Sequence, residues 1–321
     1  MSGAAEQTPS KRGRIRGVAR SVLGVVAVTL LGFAIYSERT SLAHSLSDLG
    51  PGRIALAFAV SLCALGASMM SWRGAMAAVA GDMPVGLAAR VFFVSQLGKY
   101  MPGSVWPLLA QVELARDRGV SRARGATAAI LAMLVGVVTS ALVACTGLVF
   151  STPETLSTYR WALLVLPIGG LVLIPAVLRR VLTIGLRLAR KGDAAPAVSG
   201  RGVWRSVAWS LCMWMLFGLH AWILSAHHIT GSGSGFTLVT GAFALAWLVG
   251  FLAVLAPAGL GVREGAFVLA LGGTFARPDA LALALASRLV LTLADAVSAG
   301  LAVFLTRRKI RTPPPEDSAP A

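Results

Sequence analysis

The stretch "GKYMPGSVWPLLAQVELARDRG", residues 98–119, decides how this chain is read. Apolar sequence runs up to it, breaks at Met101-Pro102-Gly103, resumes at Trp106-Pro107-Leu108-Leu109 and ends in charges. The surroundings are oily throughout: hydrophobic residues make up 56% of the chain and charged ones 13%, with a mean hydropathy of +0.76. Soluble domains carry roughly a quarter charged residues, so the solvent of this chain is a bilayer. The question is what a membrane protein does with a Pro-Gly break.

A helix needs about 20 apolar residues to cross a ~30 Å hydrocarbon core. Six runs qualify, at about 16–36, 54–72 with an interfacial extension to 80, 125–150, 160–178, 203–227 and 279–306. Two further apolar segments, 85–112 and 236–276, are each interrupted by Pro and Gly near their middle. The expected fold is therefore all-α: a polytopic helical membrane bundle of about six full spans plus two broken segments. A transmembrane domain over 15–308 lies between a basic tail, 1–14, and a tail from 309 to 321 whose "TPPPEDSAPA" is disordered by composition. The start, "KRGRIRGVARSVLGVVAVTLLGFAIYS", is read as a retained first helix, because no small-x-small cleavage site follows it.

Orientation follows from Lys and Arg, which collect on cytoplasmic flanks. Residues 1–20 hold five, 73–124 seven, 179–205 seven and 307–311 four, which together are 23 of the 29. Arg39, Arg53, Arg160 and Arg277 fall to the other side, and Arg263 and Arg288 to the interior. For all four clusters to share the cytoplasm, each broken segment must return to the side it left. The first leaves from the cytoplasm and the second from outside. The arm Ala88 to Met101 is about 21 Å long as helix, too short to cross and long enough to reach mid-depth. Phe236 to Ala256 is long enough to cross, so a re-entrant hairpin and a double crossing both stay open for 236–276. Broken backbone at membrane depth is tolerated only where protein buries it or it lines a watery cavity. Such breaks in both halves of a chain mark the transport site of inverted-repeat carriers.

The net charge of +16 does not point to nucleic acid, since the basic residues sit at the ends of apolar runs and not on a polar domain. Cys63, Cys145 and Cys212 all lie inside apolar runs and behave as small hydrophobes, so neither a disulfide framework nor a metal site is expected. No Ser-His-Asp set, ligand cluster or nucleotide-binding loop is present, so the chain is expected to use no cofactor and to be no enzyme.

Polar residues inside the oily regions carry the chemistry. The first broken segment offers Gln96, Lys99, Tyr100, Pro102, Gly103, Ser104, Trp106, Gln111 and Glu113. In the second, "PAGLGVREG" sets Pro257, Gly259 and Gly261 ahead of Arg263-Glu264. Successive amides of a Gly-rich turn entering a helix form an anion cradle, with a lipid phosphate as the natural guest. The alternative is a tight surface turn with Arg263 and Glu264 solvated. Arg288 and Asp295 lie seven residues apart on one face inside the last span. Intramembrane charges mark a functional or a paired interior site. Glu264, Arg263 and Lys99 are their candidate partners, and a purely structural salt bridge is the alternative. His220 reads as a hydrogen-bonded packing residue before a proton relay, and His227 and His228 as interfacial. Trp204, Trp209, Trp214 and Trp222 read as an interface belt and lipid-facing packing. Arg187, Arg190 and Lys191 read as a surface helix drawn to anionic lipid.

Residues 92–126, "FFVSQLGKYMPGSVWPLLAQVELARDRGVSRARGA", resemble the signature of the lysylphosphatidylglycerol synthase transmembrane family, also called flippase-like proteins. "PAGLGVREGAF", residues 257–267, resembles its second motif, with Ala258 where Gly is usual. The resemblance spans about 15–308. It implies a domain that moves a phospholipid or a polyprenyl-phosphate-linked lipid between leaflets of the bacterial inner membrane, with both termini cytoplasmic. The soluble aminoacyl-tRNA-dependent domain of the two-domain synthases is missing, so lysyl transfer is not implied. Expected partners are anionic or polyprenyl-phosphate lipids and an envelope-synthesis enzyme, and an oligomer is compatible. The candidate headgroup-binding set is Lys99, Tyr100, Pro102, Gly103, Trp106, Gln111, Glu113, Gly259, Gly261, Arg263, Glu264, Arg288 and Asp295. Two rival functions stand beside a translocator: an intramembrane transferase using Glu113, Glu264 or Asp295 as base, and a non-catalytic scaffold.

The orientation has a direct test. With single cysteines introduced one at a time, an impermeant thiol reagent added to intact cells should reach residues 229–235 and miss both termini and the 181–202 linker. Labelling of the linker would overturn it.

Overall fold

The computed structural model describes residues 39–100, 106–151, 160–188, 198–225, 233–253, 259 and 261–310. Every regular element among them is helical. Helix α1, Arg39–Val79, kinks at Gly50 (φ 71, ψ 156), immediately before Pro51. The straight span therefore runs Gly50–Val79. Helix α2, Val85–Gln96, tightens into a 3-10 turn, Leu97–Tyr100, and α3 follows at Trp106–Arg116. Helix α4, Arg122–Val149, is capped by Ser121, whose Oγ accepts from the Arg124 amide. A 3-10 turn, Arg160–Leu164, leads into α5, Val165–Leu173, and α6 spans Pro175–Leu188. The rest comprises α7, Gly200–Ser225; α8, Gly233–Leu252; α9, Val262–Leu271; and α10, Arg277–Ile310.

Among the described residues, five helices are long and apolar enough to cross a membrane: Gly50–Val79, Arg122–Val149, Gly200–Ser225, Ser234–Leu252 and Arg277–Leu305. The protein is a multi-pass membrane bundle. Four of these correspond to the runs at 54–72, 125–150, 203–227 and 279–306, while the run at 16–36, the tail 1–14 and the tail beyond Ile310 lie outside the described residues; residues 309 and 310, expected in the tail, end helix α10.

The run at 160–178 is a correction. It is not one straight span: α5 ends at Leu173, Ile174 is extended (φ −62, ψ 127), and α6 leaves at 82°. Pro175 is the cause, because its ring disfavours helical geometry at the preceding residue. Beyond the bend, α6 buries Leu178 and Leu182 and exposes Arg179 and Arg180. Arg187, Arg190 and Lys191 have no described side chains. The tryptophan belt needs correcting too: Trp204 and Trp209 are exposed, but Trp214 is buried, its ring 5.1 Å from that of Trp247 and its Nε1 donating to Thr139 Oγ1 at 3.0 Å.

The two broken segments are built differently. In 85–112, neither α2 nor α3 is long enough to cross, and the arms meet so closely that a Cβ on Gly98 would sit 3.1 Å from Pro107 N. In 236–276, α8 is a full crossing helix and α9, with 10 residues, reaches only about 15 Å. The second segment thus pairs one whole helix with one half helix.

Lipid offers helices no hydrophobic reason to associate, so close contact between small residues and buried hydrogen bonds take over. Helix α1 meets α7 at Gly74 and Gly202, where added Cβ atoms would lie 2.6 Å from Ser206 N and from Ala78 Cα. Helix α4 meets α8 at Gly147 and Gly241, where a Cβ on Gly241 would lie 2.7 Å from Leu148 N. Hydroxyls reinforce these seams: Ser71 Oγ donates to Ser206 O at 2.9 Å, and Ser140 Oγ to Ala244 O at 2.8 Å. Helix α10 is the central element, with 67% of its apolar window buried against 39% in α1. At one end of the bundle Asp82 holds Arg73 at 3.7 Å and Arg205 at 3.2 Å, which brings two of the basic clusters to the same side.

The α4–α8 seam predicts opposite outcomes for two glycines. Gly241→Ala forces backbones apart and should cost on the order of 1–3 kcal/mol, whereas Gly300→Ala in α10, with nothing within 4 Å of its added Cβ, should stabilise by roughly 0.5–1 kcal/mol. Thermal unfolding in detergent reads both signs.

Candidate functional site

Helix α10 places Arg288 and Asp295 on one face about 10 Å apart, with exposures of only 9% and 6%. Each reaches a different broken segment. Asp295 Oδ2 takes Lys99 Nζ at 2.6 Å and the Tyr100 hydroxyl at 2.7 Å, both from the 3-10 tip of the first. Arg288 Nη1 donates to Glu264 Oε1 at the start of α9, in the second. The other carboxylate oxygen of Glu264 accepts the Gly261 amide at 2.8 Å, so one side chain caps α9 and anchors Arg288. Gly259 (φ 69) and Gly261 (φ 78) supply left-handed backbone that other residues adopt at a cost. The turn also presses on α8, since a Cβ on Gly259 would lie 3.0 Å from Gly250 Cα.

Arg263 stands apart from these pairs. Its guanidinium carbon lies 4.7 Å from the centre of the Phe243 ring, and among the described residues no carboxylate pairs with it. The buried Arg288 Nε meets no hydrogen-bond partner among the described residues. Both arginines line a small cavity of about 10 Å³, together with Glu264, Ser287, Phe243 and Phe267. The arrangement can hold an anion: a planar guanidinium presents its donors in a fixed fork that matches phosphate oxygens. Two ion pairs and an extra cation inside a span are poor devices for stability, because desolvation offsets their attraction. By default they mark function.

A family model described as the lysylphosphatidylglycerol synthase TM region matches residues 18–298. The chain belongs to this family. The matched region contains both broken segments and both ion pairs. No curated protein matches the chain.

Within this family domain the structure brings together Lys99, Tyr100 and Asp295, and, about two turns along α10, Arg288 with Gly261, Arg263 and Glu264 from the start of α9. Arg288 and Asp295 serve separate pairs. The Gly261 amide, expected to face a phosphate, donates to Glu264 instead. Glu113 is not drawn to the cluster. It sits at the exposed, charged end of α3, bonded to Arg122 at 2.9 and 3.1 Å and to Arg116 at 3.3 Å, and the Arg122 hydrogen bonds hold its carboxyl below the usual carboxylate range. Gln111 is buried along α3, and Trp106 opens that helix. Pro102 and Gly103 lie outside the described residues. Phe243 and Ser287 were not singled out in the sequence. Phe243 is one aromatic among many, while Ser287 carries a signal, a hydroxyl directly beside an intramembrane arginine.

The double role of Glu264 yields an asymmetry. Arg288→Ala should destabilise by roughly 3–5 kcal/mol, the cost of leaving a buried charge unpaired. Glu264→Ala should cost more, because it also uncaps α9, by about 1 kcal/mol. The double variant should recover most of the Arg288→Ala loss. Thermal melts of the three variants check the order, and equal losses in all three would refute it.

Proposed function

We propose that this chain is a lipid translocase, moving a phospholipid or a polyprenyl-phosphate-linked lipid between leaflets of the bacterial inner membrane. Its basic end and both termini would face the cytoplasm. The observation that carries the reading is the interior charge balance. Lys99, Arg263 and Arg288 face Glu264 and Asp295 among the described residues, and the two carboxylates are taken by Lys99 and Arg288. Arg263 is left on an aromatic ring, worth about 0.5–2 kcal/mol, a weak substitute for an anion in a medium of low dielectric. A headgroup phosphate supplies that anion while the acyl chains stay in the bilayer.

Two further features support movement over static binding. Each broken segment is tied to α10 by an ion pair as well as by packing, and a phosphate competes with Glu264 for Arg288, so its arrival loosens one tie. Both interior carboxylates are engaged by cations, which favours holding a headgroup over abstracting a proton, and so favours a translocase over a transferase. The family's membrane domain is consistent with lipid handling.

The test is dithionite quenching of a fluorescent anionic phospholipid in proteoliposomes. The wild-type chain should speed leaflet exchange above protein-free vesicles. Arg263→Gln should lower the rate by about tenfold or more, the loss of a charge-assisted hydrogen bond, without lowering thermal stability, and Arg263→Lys should fall between. A wild-type rate equal to that of empty vesicles would sink the proposal.

A further inference from the structure

Apart from the ion pairs, a chain of three side chains runs from α1 through α7 to α10. Ser61 Oγ donates to Ala57 O at 2.8 Å and lies 2.8 Å from His220 Nδ1. His220 Nε2 lies 3.0 Å from Ser287 Oγ. All three are buried, at 0%, 0% and 3% exposure. The direction of these bonds follows from counting hydrogens. Ser61 has one hydroxyl hydrogen and directs it to Ala57 O, so it accepts from His220, and Nδ1 carries the imidazole hydrogen. The 3.3 Å approach of Nδ1 to the same Ala57 carbonyl fits that donor. A neutral imidazole carries a single N–H, so Nε2 is an acceptor and the Ser287 hydroxyl donates to it.

The hydrogen of Ser287 is thereby committed to His220, and the oxygen can only accept in other directions. It lines the cavity of about 10 Å³ shared by Arg263, Glu264 and Arg288. That volume holds about one water-sized group, so a hydroxyl fits it as it stands, whereas a phosphate reaches these arginines only by displacing Glu264. A hydroxyl there would donate to Ser287 Oγ and accept from the unpartnered Arg288 Nε.

We infer that Ser287 is a specificity-determining contact, held as a hydrogen-bond acceptor by the positioning residue His220, and that it selects lipids with a headgroup hydroxyl beside a singly charged phosphodiester. This rests on the headgroup-binding reading above and adds what the headgroup must carry. An alkyl group in the same place leaves Ser287 and the arginine unpaired, and a site built to hydrogen-bond a hydroxyl rejects analogues that lack one.

The experiment offers the purified full chain in detergent an equimolar mixture of phosphatidylglycerol and phosphatidylethanol, and counts bound lipid by native mass spectrometry. Both lipids are monoanionic phosphodiesters, and only the first has headgroup hydroxyls. The wild-type chain should favour phosphatidylglycerol by about tenfold, of the size expected for one satisfied buried hydrogen bond. Ser287→Ala should bind both lipids without preference, and Ser287→Thr should restore the preference. His220→Leu, which frees the Ser287 hydroxyl to turn, should shrink the preference while phosphatidylethanol still binds. Should His220→Leu fail to fold, the Ser287 pair decides alone. Equal wild-type binding, binding of neither lipid, or a preference that survives Ser287→Ala overturns the inference. Preference without faster leaflet exchange supports the Ser287 assignment and removes the translocase. Exchange without preference does the reverse.

Discussion

A carboxylate in the core of a bilayer must find its partners inside the protein, and Glu264 finds two. One oxygen receives the Gly261 amide at the start of α9, and the other receives Arg288 from α10. Water would serve both needs at a surface, but no water is at hand where backbone crosses hydrocarbon, and an unsatisfied group there costs several kcal/mol. The half-length helix α9 can therefore begin inside the bundle because the Gly261 amide at its start meets a side chain of the same helix. Arg288 can lie inside α10 because the same side chain faces it. A second tie of this kind, Asp295 with Lys99 and Tyr100, fixes the tip of the first broken segment.

The remaining helices are arranged so that these ties fall at one place. Close seams at Gly74 with Gly202 and at Gly147 with Gly241 leave no room for side chains between backbones, which sets how near α1, α4, α7 and α8 come to one another. Helix α10 is the most buried of the five candidate spans because both broken segments and α1 pack on it. The result is an apolar bundle with its ionic groups gathered around a single helix. Glu113, which the same physical rules would have punished at depth, is instead at an exposed end among arginines.

That concentration shapes what a ligand would meet. The proposed headgroup would enter a site whose native anions are already engaged, so it competes with Glu264 for Arg288 and offers Arg263 a better partner than the Phe243 ring. Binding and loosening are then the same event: the anion that satisfies one cation releases a tie that holds a broken segment in place. A ligand shifts a conformational balance only by its differential affinity for the two states, and exchange of one anion for another at a shared arginine supplies such a difference.

The sequence by itself determined the solvent, the helical class and the family, because hydropathy over 20 residues, the motifs at 92–126 and 257–267 and the run of spans are local properties of the chain. It also marked the charges that matter, since Lys99, Arg263, Glu264, Arg288 and Asp295 are conspicuous in oily surroundings. It counted 160–178 among the crossing runs without its bend, because hydropathy counts apolar residues and is blind to the geometry that Pro175 imposes on Ile174. It misplaced Trp214 at the lipid face, because which side of a helix faces its neighbours is not a property of that helix alone. Only the tertiary structure decided who pairs with whom: Asp295 with Lys99 and Arg288 with Glu264, and not Arg288 with Asp295, together with Ser287 facing His220 across 67 positions of chain. Pairings of this kind depend on how separate helices cross and at what depth, and that is set by small-residue contacts between distant segments, for which no local pattern exists.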